Sequence, residues 1–126
     1  VGLGRWAEVI AAAVSRSDGI ETAACASSSP EKAAAFTGKH GCAPFETYEA
    51  MLADPSVEAV LITSAKHQHS GHAEAAARAG KHVFVEKPIA TNIPDAHSVI
   101  AECERAGVVL ATGQMTRRMT AVRKMK

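Results

Sequence analysis

Aromatic residues are scarce in this chain of 126 residues, which holds one Trp, one Tyr and three Phe. Binding of single-stranded nucleic acid needs aromatic side chains set among cations, so that bases have faces to stack on. The one dense basic stretch, residues 117–126, carries Arg117, Arg118, Arg123, Lys124 and Lys126 and no aromatic residue. It reads as a solvated helix leading onward, and no nucleic-acid partner is expected. An apolar run of the ~20 residues needed to span a bilayer is also missing. The chain opens Val1-Gly2-Leu3-Gly4, without the charged and then apolar segments of a secretory leader. The cysteines are few and scattered: Cys25, Cys42 and Cys103. They form neither a disulfide framework nor a CxxC pair. Reduced thiols in a cytoplasmic protein are the simplest account, with Cys25 and Cys103 as small core residues. No repeat, linker or low-complexity stretch is visible.

What is present is a globular composition, 47% apolar and 21% charged, in a length of about one domain. The formal net charge of +1 hides an asymmetry: residues 1–116 hold nine basic and thirteen acidic side chains, while the last ten residues carry five cations and no acid. The boundaries expected are a domain over 1–116 and, over 117–126, the start of a connection to a further domain.

Helical and strand-like segments alternate. Trp6, Val9, Ile10, Ala13 and Val14 recur at i, i+3, i+4 and predict a helix over 5–17. Residues 20–26 predict a strand, 30–40 a helix stopped at Gly41, and 48–53 a short helix. The unbroken apolar run within 57–64 is that of a strand covered on both faces. A helix over 68–79 and a strand over 82–86 follow. Asn92 and Asp95 cap a helix whose apolar stripe is Ala96, Val99, Ile100 and Cys103; Gly107 ends it, and 108–112 is a last strand. Strands alternating with helices through short connections give an α/β fold, a doubly wound parallel sheet with helices on its faces. The first strand is cut nearly to Val1, so residues are expected upstream.

Gly2-Leu3-Gly4-Arg5-Trp6-Ala7 fits G-x-G-x-x-G/A at a strand-to-helix junction. Gly2 makes the tight turn, Gly4 lets a pyrophosphate approach bare backbone, and Ala7 lets the helix lie close on the sheet. The N–H groups of the helix N-terminus then face the phosphates. Opening a βαβ pattern, the motif predicts a dinucleotide site. An NAD-selective site often has an acid about 20 residues further on, gripping the ribose; here the stretch is Ala26-Ser27-Ser28-Ser29. Serines can bond a ribose or a 2′-phosphate, with Lys32 or Arg5 as a source of charge, so the cofactor is NAD or NADP with a lean to NADP.

Lys66-His67-Gln68-His69-Ser70-Gly71-His72 raises a rival. Three imidazoles at this spacing are zinc-ligand types, and a hydrolase would use such a metal to make hydroxide. No acid lies close by as base or fourth ligand, and the cluster follows a buried strand, where a doubly wound sheet places its cofactor cleft. The expectation is therefore no metal.

Three further segments carry a family resemblance: Thr63-Ser64-Ala65-Lys66-His67-Gln68-His69, then Ala79-Gly80-Lys81-His82-Val83, then Glu86-Lys87-Pro88. With the glycine turn, they make the chain resemble the glucose–fructose oxidoreductase / inositol dehydrogenase (Gfo/Idh/MocA) family as far as Gln114. It departs at Ala65, where proline is usual, and at Lys66, where asparagine is usual. The resemblance implies an NAD(P)-binding Rossmann domain of a dehydrogenase. In such enzymes hydride passes between nicotinamide and a hydroxyl-bearing carbon of a sugar, cyclitol or related diol, and a C-terminal α/β substrate domain follows. It implies that Gly2, Leu3, Gly4, Arg5 and Trp6 hold the pyrophosphate and that Ser27 and Ser28 lie by the adenosine ribose. Ser64 and His67 would line the cleft, Glu86 and Lys87 would lie at the nicotinamide end, Lys87 would be catalytic, and Gln114 would border the substrate. The partner implied is a small polyol or sugar-like molecule, with homo-oligomers formed through the C-terminal domain.

Lysine directly after a buried strand emerges at the carboxyl end of the sheet. Partial burial there would lower its pKa and allow proton transfer, and its cation would stabilise a developing alkoxide. Pro88 stiffens the turn that aims it. The non-enzymatic alternative is a cofactor-sensing or interaction module of the same fold, which would have no need of this lysine.

Overall fold

The structure, a computed structural model, describes residues 1–115 and Lys124. The basic stretch 117–126 lies, apart from Lys124, outside the described residues. Five helices and five strands alternate: α1 (Arg5–Val14), β1 (Ala24–Ala26), α2 (Pro30–His40), β2 (Ala43–Phe45), α3 (Tyr48–Ala53), β3 (Ala59–Ile62), α4 (His69–Arg78), β4 (His82–Val85), α5 (Ile93–Ala106) and β5 (Leu110–Thr112). A 3-10 turn, Lys66–Gln68, leads into α4. All strand pairs are parallel, β1 with β2 and β3–β4–β5 in that order.

Val1 ties these ladders together. Its amine donates to Leu61 O at 2.7 Å, and its carbonyl accepts from Thr63 N at 2.9 Å. It shares one core with Ala24 and Ala26 of β1. Strand order therefore runs outward from Val1 in both directions, to β1 and β2 one way and to β3, β4 and β5 the other. In an open α/β sheet such a switch point is where the crevice for a ligand forms.

Strand β1 is covered on both faces, whereas in β3 and β4 burial alternates and the second face, at Leu61 and Phe84, is only half-buried, short of the two-sided cover expected for 57–64. Along β1, Ala24 and Ala26 join the larger core with Val60, Ile62, Val83, Val85 and Val99. Cys25 between them joins a smaller one with Ala7, Ala11, Phe36 and Cys42. Alternate residues of a strand point to opposite faces, so α1 and α2 cover one side and α3, α4 and α5 the other. Fully buried Ala73, Ala76 and Ala77 let α4 lie close on β3 and β4. Burial pushes the Cys25 thiol up to about 11, the behaviour of an inert core residue.

Several boundaries differ from the expectations. Helix α1 stops at Val14, because Ser15, Arg16 and Ser17 are exposed and bring no apolar face. Expected strand 20–26 shrinks to three residues, its partner β2 being equally short, and Ile20 lies 62% exposed. The strands expected over 57–64 and 108–112 narrow to Ala59–Ile62 and Leu110–Thr112. Strand β2 was not legible: Ala43-Pro44-Phe45 has no strand signature, and it is at an edge that a sheet tolerates proline.

Candidate active site at the switch point

The glycine turn is built by close approach. Gly2 has φ +84°, and a β-carbon there would lie 2.3 Å from Ser64 N and 2.4 Å from Ser64 Cα. Thr63 Oγ1 donates to Gly2 O at 2.6 Å and locks the turn to the loop after β3. Gly4 is different: its backbone is extended, and a β-carbon would meet nothing within 4 Å. Helix α1 starts there with no side-chain cap, whereas Ser29, Thr47 and Asn92 cap α2, α3 and α5. The first N–H groups of a helix have no partner within it. No side chain caps them here, and the space beside Gly4 is open, which suits an anion. Trp6 Nε1 is buried with no partner. An uncapped helix start, bare backbone at Gly4 and an orphaned indole N–H all suit a bound pyrophosphate and its neighbouring groups.

Beside this turn lies a cleft of about 380 Å³, lined by Trp6, Thr63, Ser64, Lys66, His69, Glu86, Lys87, Gly113, Gln114 and Met115. Five expected residues meet in it: Trp6, Ser64, Glu86, Lys87 and Gln114. Glu86 is buried, and its Oε2 accepts from Lys87 N at 3.1 Å. Gly113 makes room for it, since a β-carbon at 113 would lie 2.4 Å from Glu86 Oε1. The expected partial burial of Lys87 is not found. The side chain is exposed, because the chain turns outward after Val85 and Glu86 takes the inward position. Nor do the two pair: among the described residues no ion pair joins Lys87 to Glu86.

A second hollow, of about 250 Å³, opens at the end of β1 and contains Ser27 and Ser28, with Val1, Ala26, Glu46, Thr47, Tyr48, Glu49 and His72. Ser27 Oγ accepts from Ser29 N at 3.2 Å. Arg5 and Lys32 are exposed and line neither hollow. Gly2, Leu3 and Gly4 form the turn itself.

The three histidines take separate directions. His67, expected in the cleft, is exposed on the 3-10 turn and outside both linings. His69, two residues on, is buried in the cleft wall, its ring nitrogens 2.7 Å from Pro88 O and 2.9 Å from Ser64 O. His72 Nδ1 lies 2.9 Å from Ser64 Oγ, and its ring leans on Tyr48 at 4.8 Å between centroids. Burial is the main cause that holds His72 below the usual imidazole value. The rings do not converge, and among the described residues no three His, Cys, Asp or Glu side chains are grouped to hold a metal. Sequence reasoning missed His69, Gly113 and Tyr48 as parts of the site. His69 stood in the histidine segment without a role of its own, and Gly113 and Tyr48 had as signal only their positions after a strand.

A parallel sheet with a switch point, a glycine turn and an uncapped helix start define a Rossmann-type dinucleotide-binding domain. The family model for oxidoreductases of the Gfo/Idh/MocA type, described as an NAD-binding Rossmann fold, matches residues 1–114. The chain belongs to that family, and its cofactor is NAD or NADP. It is 37% identical over 112 residues to a 1,5-anhydro-D-fructose reductase of Ensifer adhaerens, covering 88% of this chain and 34% of the relative. It is 44% identical over 63 residues to a myo-inositol 2-dehydrogenase of Thermotoga maritima, covering 50% and 19%. Among solved structures, a 3-ketoreductase of Actinomadura kijaniata in complex with NADP and TDP-benzene superposes with a TM-score of 0.94 at 30% identity, over 98% of this chain and 38% of that one. A dehydrogenase of Bordetella pertussis in complex with NADH and UDP-GlcNAcA gives 0.89 at 30% identity, over 93% and 34%. The chain thus spans about a third of the length of these relatives, and less of the myo-inositol 2-dehydrogenase. No described helix is long and apolar enough to cross a membrane.

Proposed function

We propose that this chain is the cofactor half of an NAD(P)-dependent dehydrogenase that moves hydride between nicotinamide and a hydroxyl-bearing carbon of a sugar, cyclitol or related diol. The observation that carries this reading is the cleft in which Ser64, Glu86, Lys87 and Gln114 meet beside the glycine turn. The bound nicotinamide supplies the hydride chemistry, and the protein binds and orients. In this reading the amides from Gly2 to Trp6 hold the pyrophosphate, and Ser27 and Ser28 bond the adenosine ribose. Ser64 and Glu86 shape the nicotinamide end, and Gln114 borders the substrate. Lys87 is the catalytic residue: its exposure leaves its cation free to reach a substrate oxygen and stabilise the alkoxide that develops there, the hydroxyl proton leaving to solvent. The serines at the end of β1, with no acid among them, favour NADP. In the same reading a substrate domain follows the described residues, homo-oligomers form through it, and the protein is cytoplasmic.

The test uses the intact protein with NADP or NAD, and with myo-inositol, D-xylose or 1,5-anhydro-D-fructose as substrates. Lys87→Met is expected to lower kcat by about 10²- to 10³-fold, the usual weight of a group that stabilises developing negative charge, while cofactor affinity changes little. Wild-type turnover in Lys87→Met would contradict the assignment.

A further inference from the structure

We infer that His69 is a positioning residue: its ring fastens the turn that carries Lys87 to the Ser64 loop. This rests on the dehydrogenase reading for its meaning, but not for its geometry. His69 is 2% exposed and is the first residue of α4. Nδ1 faces Pro88 O at 2.7 Å, and Nε2 faces Ser64 O at 2.9 Å. Carbonyl oxygens only accept, so the ring must supply the N–H; a neutral imidazole carries one, and the shorter contact, to Pro88 O, is the bond it makes, with Ser64 O packed against the other nitrogen. The ring thus spans the two loops that leave β3 and β4, one on each nitrogen.

Apart from Ile89, which packs against the larger core, the turn has little else to hold it. The last ladder bond of its strand is Glu86 N to Ile62 O, and Lys87 N then bonds its neighbour's carboxylate. Among the described residues, no other side-chain hydrogen bond reaches residues 88–91. The anchor behind His69 is firm, because α4 buries Ala73, Ala76 and Ala77 completely against the sheet. His72, on the same helix, holds the Ser64 hydroxyl. One helix edge therefore sets both the cofactor loop and the turn that presents Lys87. A ring without nitrogen would leave the Pro88 carbonyl unpaired and the Lys87 turn loose.

The experiment follows the ring and the turn in the intact, isotopically labelled protein. A ring N–H of His69 is expected to exchange with solvent far more slowly than that of exposed His67. In His69→Phe, amide exchange across residues 86–91 is expected to quicken by about tenfold, with residues 24–45 unchanged, as a local opening requires. His69→Gln, which keeps an N–H donor, is expected to restore most of the protection. Ring exchange as fast as that of His67, unaltered exchange in both variants, or Phe and Gln behaving alike would overturn the inference. If His69→Phe fails to fold, the ring N–H and His69→Gln still decide. A parallel titration of wild type with NADPH separates the two claims: absence of binding counts against the dehydrogenase reading, while the exchange data judge His69 alone.

Discussion

At Gly2 a β-carbon would sit 2.3 Å from the Ser64 amide nitrogen, and at Gly4 it would meet nothing within 4 Å. The two glycines of one motif are thus required for different reasons, and substitutions separate them. Gly2→Ala forces apart two backbones that cannot yield and is also strained at φ +84°. It is expected to cost about 1–3 kcal/mol, the usual penalty of overpacking, read as a lower urea midpoint. Gly4→Ala should leave that midpoint unchanged and weaken NADPH binding, because its methyl group occupies the space a phosphate needs. Equal loss of stability in both variants would contradict this division. The motif showed that glycine was needed at both positions. The requirement at Gly113 was not legible, because it arises from the Glu86 carboxylate of a neighbouring strand, a contact between residues far apart in the chain.

Helix α5 owes its start to a single side chain. Asn92 Oδ1 accepts from Asp95 N at 2.8 Å, and its amide donates to Asp95 Oδ2 at 2.7 Å. Asn92→Ala is expected to cost about 1 kcal/mol, measured by denaturant unfolding; no change would mean that α5 is held by its contact with α4 alone. This cap was legible from Asn92 and Asp95, as was Pro30–His40, because caps and glycine stops are local signals. Strand ends were not: Ala24–Ala26 is three residues long because its partner is, a fact of pairing and not of composition. The place of each histidine was not legible for a related reason. A 3-10 turn at Lys66–Gln68 changes the phase of the chain before α4 begins, so that His69, not His67, enters the cleft wall. The sequence spacing held three imidazoles close together; the fold gave each a different partner.

Across the whole molecule, acid should weaken the fold in two windows. His72 has its pKa lowered in the folded state, chiefly by burial. Below its ordinary value of 6.5 the unfolded chain therefore takes up the proton first, and stability falls as pH drops. Glu8, bonded to Lys39 and His40, and Glu102, bonded to Arg105, are held below the ordinary carboxylate value of 4.5. Their contribution is present above that value and is lost as pH falls through their lowered ones; being exposed, they contribute little each. Urea midpoints at neutral, mildly acid and strongly acid pH test this, and replacing His72 with Asn should remove the first decline but not the second. The glycine turn opening a βαβ pattern made the cofactor class legible before any geometry, and the segments Thr63–His69, Ala79–Val83 and Glu86–Pro88 made the family so. The glycine turn should hold a nicotinamide dinucleotide. The most direct test is titration of the intact protein with NADPH and NADH, followed by nicotinamide fluorescence, in wild type and Gly4→Val. The account predicts saturable binding in wild type, tighter for NADPH, and its loss in Gly4→Val with the fold intact. A folded wild type that binds neither cofactor, or a Gly4→Val protein that binds as wild type does, would contradict it.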